Sequence, residues 1–142
     1  MSNEYIENVI KSIDNEKNEN IMQLTNAKIK EQKNNILQQL QLERGKLKSF
    51  HEKLKNYRYV DEISDLQFGY YIRWIPLRDP DDIKLTNGAH ICDIKILDNG
   101  VHIICRNGFN RFMQLNLDEN MVFQKLTDQE KIILKTLDYL KK

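Results

Sequence analysis

Asp93-Ile94-Lys95-Ile96-Leu97-Asp98-Asn99-Gly100-Val101-His102-Ile103-Ile104-Cys105-Arg106 reads as two β-branched runs joined by a tight turn. Asn and Gly tolerate positive φ better than other residues, so an Asn-Gly pair between such runs marks a two-residue hairpin. Centring the turn on Asn99-Gly100 pairs Ile96 with Ile103, Ile94 with Cys105 and Asp93 with Arg106. The first two pairs set apolar side chains on one face, and the third sets opposite charges on the other. Two further Asn-Gly pairs, Asn87-Gly88 and Asn107-Gly108, flank this hairpin. The span from Tyr70 to Lys125 therefore reads as an antiparallel β-meander or small barrel, with strands near 70–77, 83–86, 89–97, 101–106, 109–117 and 121–125.

Upstream, residues 4–58 hold no Pro and one Gly, Gly45, and are rich in Glu, Lys, Gln, Leu and Asn. That composition predicts a long helix. Met22, Ile29, Ile36, Phe50 and Tyr57 recur at heptad position d, and Leu40, Leu47 and Leu54 recur at a, which is a coiled-coil seam. Asn26 and Lys33 fall at a and Glu43 at d, where polar residues lower stability but fix register and strand number. Ile6, Ile10 and Ile13 form a separate stripe, set apart by the apolar-free stretch 14–20. The other reading of the Leu/Ile stripe is a helix folded back on its own β domain. The helix is far longer than a small sheet can cover, so the seam reads as self-association, as a parallel dimer.

Residues 59–69 form the joint, with Gly69 suited to a chain reversal. At the other end Thr127-Asp128-Gln129-Glu130 is a capping box, in which Thr127 and Glu130 satisfy each other's backbone amides. Ile133, Leu134, Leu137 and Leu140 continue it as one helical stripe that would cover a face of the sheet. The expected architecture is α+β: a coiled-coil helix over 1–60, an antiparallel β domain over 61–126 able to fold without the coil, and a packing helix over 127–142.

Composition excludes several classes. The formal net charge is +1; residues 1–60 carry 11 Lys/Arg against 8 Asp/Glu, and residues 61–142 carry 11 against 13. The chain as a whole thus advertises no polyanion partner. No apolar run reaches the length of a membrane span, and the N-terminus lacks the charged and apolar regions of a secretory signal. Two cysteines without such a signal read as free thiols in a reducing, intracellular compartment.

His90, Cys92 and Cys105 could share a sheet face, but zinc sites draw paired ligands from turns rather than alternating positions of an Ile-rich strand. Buried, inert thiols and no metal are expected. Asp79, Asp81 and Asp82 lack the spacing of a calcium loop. His51 and His102 assemble with no nucleophile, and no glycine-rich phosphate loop exists, so no catalytic residues, no cofactor and no enzymatic activity are expected. Tyr70, Tyr71, Arg73, Trp74, Arg106, Phe109 and Arg111 form the aromatic-plus-arginine set with which small β-barrels stack bases.

The strings Gly69-Tyr70-Tyr71-Ile72-Arg73-Trp74-Ile75, Leu85-Thr86-Asn87-Gly88, Ile91-Cys92-Asp93-Ile94-Lys95-Ile96 and Phe123-Gln124-Lys125-Leu126 resemble small proteins of the nucleocytoplasmic large DNA (giant) viruses over residues 66–140. The resemblance implies no activity and no functional residues. It implies a viral context, hence host cytoplasm, viral factory or virion. The function expected from sequence is a non-enzymatic scaffold or assembly protein, whose coil clusters β domains that contact another protein. The alternative is a nucleic-acid-binding small barrel using the aromatic-Arg surface.

Overall fold

The computed structural model describes residues 21–140. After a 3-10 turn at Ile21–Gln23 come α1 (Asn26–Gln38), α2 (Arg44–Lys53), β1 (Tyr57–Val60) and β2 (Tyr71–Pro76). There follow β3 (Ala89–Leu97), β4 (Gly100–Arg106), β5 (Phe112–Asn116), β6 (Asn120–Lys125) and α3 (Asp128–Leu140). The strands make one antiparallel six-stranded sheet in the order β1-β6-β2-β3-β4-β5.

The expected long coiled-coil helix is absent from the described residues. Its sequence is split into α1 and α2 by a turn in which Gln41 takes φ 52°. A left-handed non-glycine residue costs about 1 kcal/mol or more. Folding the apolar side chains around it onto the sheet offsets that cost: Leu37 is fully buried, and Leu40 and Leu42 pack beside it. Leu37 lies outside the heptad frame, so α1 presents a broad core-facing stripe rather than an a/d seam.

The seam residues are spent inside the chain. Ile29 packs with Ile21, Leu126, Ile133 and Leu134. Phe50, Leu54 and Tyr57 are buried with Ile75, Met121 and Phe123, and Ile36, Leu40 and Leu47 lie against them. The Lys33 ammonium donates to the carbonyls of Leu54 (2.8 Å) and Tyr57 (3.0 Å), and Asn26 donates to Asp138 (2.8 Å). Met22 is exposed. Tyr57, placed last in the seam, opens β1, which pairs with β6. The core thus crosses the expected boundary at residue 60. The Ile6, Ile10 and Ile13 stripe, the 14–20 break and the terminal Lys141-Lys142 lie outside the described residues.

The central hairpin forms with a different register. Leu97 opposes Gly100, so Ile96 meets Val101 and Ile94 meets Ile103. Among the described residues the positive φ falls on Gly100 (124°), not on Asn99, which removes the expected turn type. A bulge between Ile91 and Asp93 then shifts the ladder, so Ile91 and Ile94 both face the core while Cys92 and Asp93 face out. Residues 83–86 form no strand. Thr86 ties that segment to β2 instead: its hydroxyl accepts from Trp74 N (3.0 Å) and its carbonyl from Arg73 Nε (2.8 Å).

The sheet curls into a partly open barrel. β5 and β6 stand four strand spacings apart in the ladder order, about 19 Å if flat. Only Leu117–Glu119 joins them, and four extended residue steps span at most about 14 Å. Curling closes the gap and collects Val60, Ile72, Trp74, Ile91, Ile103, Leu115 and Val122 into one interior cluster. The outer surface of β1, β6 and β2 is covered by α1, α2 and the arm around Ile83 and Leu85. The capping box forms as expected: Thr127 N donates to Glu130 Oε1 (2.9 Å) and Glu130 N to Thr127 Oγ1 (3.1 Å). Its helix, α3, packs on Ile21, Ile29 and Leu126 rather than across a sheet face.

Candidate nucleic-acid interface

Among the described residues, the outer surface of β3, β4 and β5 carries no helix. Across it the register sets Tyr71, His90, Arg106 and Phe112 in one row, since Tyr71 opposes His90, His90 opposes Arg106, and Arg106 opposes Phe112. Directly opposed residues share a face, so these four side chains line up along the hydrogen-bonding direction. The Tyr71 and His90 rings meet edge to face with centroids 5.0 Å apart, and the Tyr71 hydroxyl donates to Asn87 O (2.6 Å). His90 and Arg106 are exposed, and Phe112 is 68% exposed.

The β4–β5 loop continues this surface. Asn107 Oδ1 accepts from the amides of Phe109 (2.9 Å) and Arg111 (3.0 Å), and Asn107 N donates to Arg111 O (3.0 Å). Positive φ falls on Asn110 (59°), a residue that accepts it readily, and not on Gly108. A loop so cross-tied presents Phe109, 87% exposed, as a fixed projection beside Arg111. Between this loop, Gly69, His90 and Cys92 runs an open groove of about 480 Å³ with no acidic residue in its lining. Phe68, 60% exposed, flanks Gly69, whose amide donates to Ile91 O (2.8 Å).

Charge is separated along the strands. Arg106 and Arg111 stand at one end of the β3–β5 wall, with His90. Asp98, Asp118 and Glu119 stand exposed at the other, roughly 20 Å away along a seven-residue strand. Asp93, exposed and facing out opposite Ile104, lies between these ends, two residues along the sheet from the His90–Arg106 pair.

The sequence-predicted set is therefore divided. Arg106, Phe109 and Arg111 come together, and Tyr71 borders them through His90. Arg73 is held by Thr86, and Trp74 is buried in the barrel interior. Tyr70 turns toward Thr127 and Glu130, and burial foremost raises its phenol pKa, with Glu130 adding to the rise. Sequence reading missed Phe112, Phe68 and His90 as members of the surface. Folding the loop about Phe109 sets Arg106 opposite Phe112, a signal present in the chain.

The two thiols differ, against the expectation that both are buried. Cys92, expelled by the bulge, is exposed, whereas Cys105 is fully buried and its thiol is pushed up to about 12, by burial first and by Cys92 second. No cluster of three His, Cys, Asp or Glu able to hold a metal occurs among the described residues. No helix among them is long and apolar enough to cross a membrane.

A second polar cluster is interior and fixes the chain connection after β1. Arg58, buried, pairs with Asp65 at 3.5 Å. Gln124 donates to Asp65 O (2.9 Å) and accepts from Gln67 N (3.1 Å). Among the described residues Arg58 Nε has no hydrogen-bond partner, and burial raises the Glu130 carboxyl above its ordinary range, while Thr127 and Arg58 pull it back.

Comparison with protein-family models, curated proteins and solved structures gives no match.

Proposed function

We propose that the protein is a non-enzymatic binding module for single-stranded nucleic acid. The observation that carries this reading is the exposed row His90-Arg106-Phe112, continued by Phe109 and Arg111 on a cross-tied loop. Aromatic faces stack bases regardless of sequence, and arginines neutralise phosphates; together they form a groove that tracks a strand. The acid-free groove lining favours a polyanion at this surface. A scaffold clustered by a coiled coil loses its motive, because most of the residues that would form the seam pack within the chain.

The test is fluorescence anisotropy with a labelled single-stranded oligonucleotide across a salt series. Binding should weaken steeply with salt, and Arg106→Ala or Arg111→Ala should each flatten the log–log slope by about 0.7. Phe109→Ala should cost about 1–3 kcal/mol of affinity and leave the fold intact. Absence of binding at low salt, or indifference to all three substitutions, refutes the proposal.

A further inference from the structure

The sheet has two edges, and they are treated differently. β1 is guarded: α1 lies beside it, and the Lys33 ammonium takes the Tyr57 carbonyl. β5 is not. Its sequence, Phe112-Met113-Gln114-Leu115-Asn116, contains no charge, no Pro and no bulge. Natural edge strands are protected by such devices, because unpaired amides and carbonyls template pairing with another chain.

The direction of those groups follows from the ladder. Leu97 and Gly100 close the two-residue hairpin as a hydrogen-bonded pair, so Lys95–His102 and Asp93–Ile104 are bonded pairs too. Ile103 and Cys105 must then point at β5, bonding Leu115 and Met113. The bond from Asn107 N to Arg111 O has the same parity and gives the same result independently. The backbone groups of Phe112 and Gln114 therefore point away from the sheet, as do those of Asn116, whose carbonyl already accepts from Asn120 (2.8 Å) and keeps a second lone pair.

We propose that this edge pairs with β5 of a second copy of the chain, antiparallel, about a two-fold axis at Gln114. The strand is self-complementary in that register. Gln114 meets its own copy, Phe112 meets Asn116, and on the interior face Met113 meets Leu115. The outward backbone groups of one strand face those of the other, the interior pairs are both apolar, and no charges oppose one another. The barrel wall is also open beside β5, where Gln114 and Leu115 share a cavity of about 260 Å³ with Trp74 and Pro76. A partner strand would close that side. Because β1 is guarded, the contact joins identical edges, so assembly stops at two copies and does not propagate. Both aromatic-arginine surfaces would face the same side of the joined sheet. The inference rests on the edge alone and does not require nucleic-acid binding.

The experiment is sedimentation equilibrium on the full chain and on variants at Gln114. Wild type should sediment at twice the 17.0 kDa of the chain. Gln114→Pro should sediment as monomer, since proline removes an outward amide and spares the β4 ladder. Gln114→Lys and Gln114→Glu, each alone, should be monomeric, and an equimolar mixture should recover the dimer as a heterodimer. If the proline variant fails to fold by circular dichroism, the charge pair decides. A wild type that stays monomeric at millimolar concentration overturns the proposal, as does a dimer that survives both charge variants. A mixture that remains monomeric overturns the placement of Gln114 opposite itself.

Discussion

Replacing Leu37 by Ala separates a helix folded into its own core from one that forms a seam. Leu37 is fully buried between α1 and the outer surface of the sheet, with Phe50, Leu54, Ile75 and Phe123 in the same cluster. The substitution removes three carbons, worth about 2.4 kcal/mol at about 0.8 kcal/mol each. The cavity left behind raises the expected loss to about 3–4 kcal/mol. For a chain of this size, 3 kcal/mol corresponds to a melting temperature lower by about 10 °C. Ile36, the neighbour that a heptad frame would place at d, is only half-buried. Ile36→Ala should therefore cost about half as much. Urea denaturation of the two variants, with equal m-values, gives the comparison directly. A greater loss for Ile36→Ala than for Leu37→Ala would refute the placement of α1.

Two further outcomes follow from the titratable groups. At pH 8 a thiol reagent should modify Cys92 in the folded protein and reach Cys105 only after denaturation; two equivalents reacting at once in the native state would contradict the burial of Cys105. The Glu130 carboxyl is raised in the folded state, so the folded chain holds a proton that the unfolded chain has released, and stability falls as pH rises through that window. Glu130→Gln keeps the acceptor for Thr127 N, so it should match wild type in acid and melt higher than wild type at neutral pH; an unchanged difference across pH would refute this assignment.

Much of the sheet was legible because its signals are local. The central hairpin, the strand spans and the capping box each depend on residues a few positions apart. The register slipped because Asn99-Gly100 serves two turn geometries, and only the glycine's φ distinguishes them. The bulge at Cys92 has no signature, since any residue can be the extra one. The helices failed for a different reason. Heptad spacing and a broad core-facing stripe share most positions, and Leu37, the residue that separates them, is one more Leu in a Leu-rich run. β1 was hidden because Tyr57-Arg58-Tyr59-Val60 becomes a strand only when β6 is beside it. Of the candidate surface, the loop residues were recognised and the cross-strand partner Phe112 was missed, because finding it takes the register of the turn about Phe109 as well as the composition of the loop.

The place of β6 in the ladder bears on how the chain is made. β1 and β2 are neighbours in sequence yet flank β6 in space, and Tyr57 finds its partner at Lys125. During synthesis both strands emerge with an unfilled slot between them, and the segment that fills it appears only after β3, β4 and β5. The β2–β5 stretch can begin to pair early, whereas the barrel and its helical cover close only after β6 is free. Pairings of such sequence separation make folding slow and leave apolar strand edges exposed meanwhile. Refolding of the full chain should accordingly be limited by the arrival of β6, and chains stalled before residue 120 should be the form that aggregates.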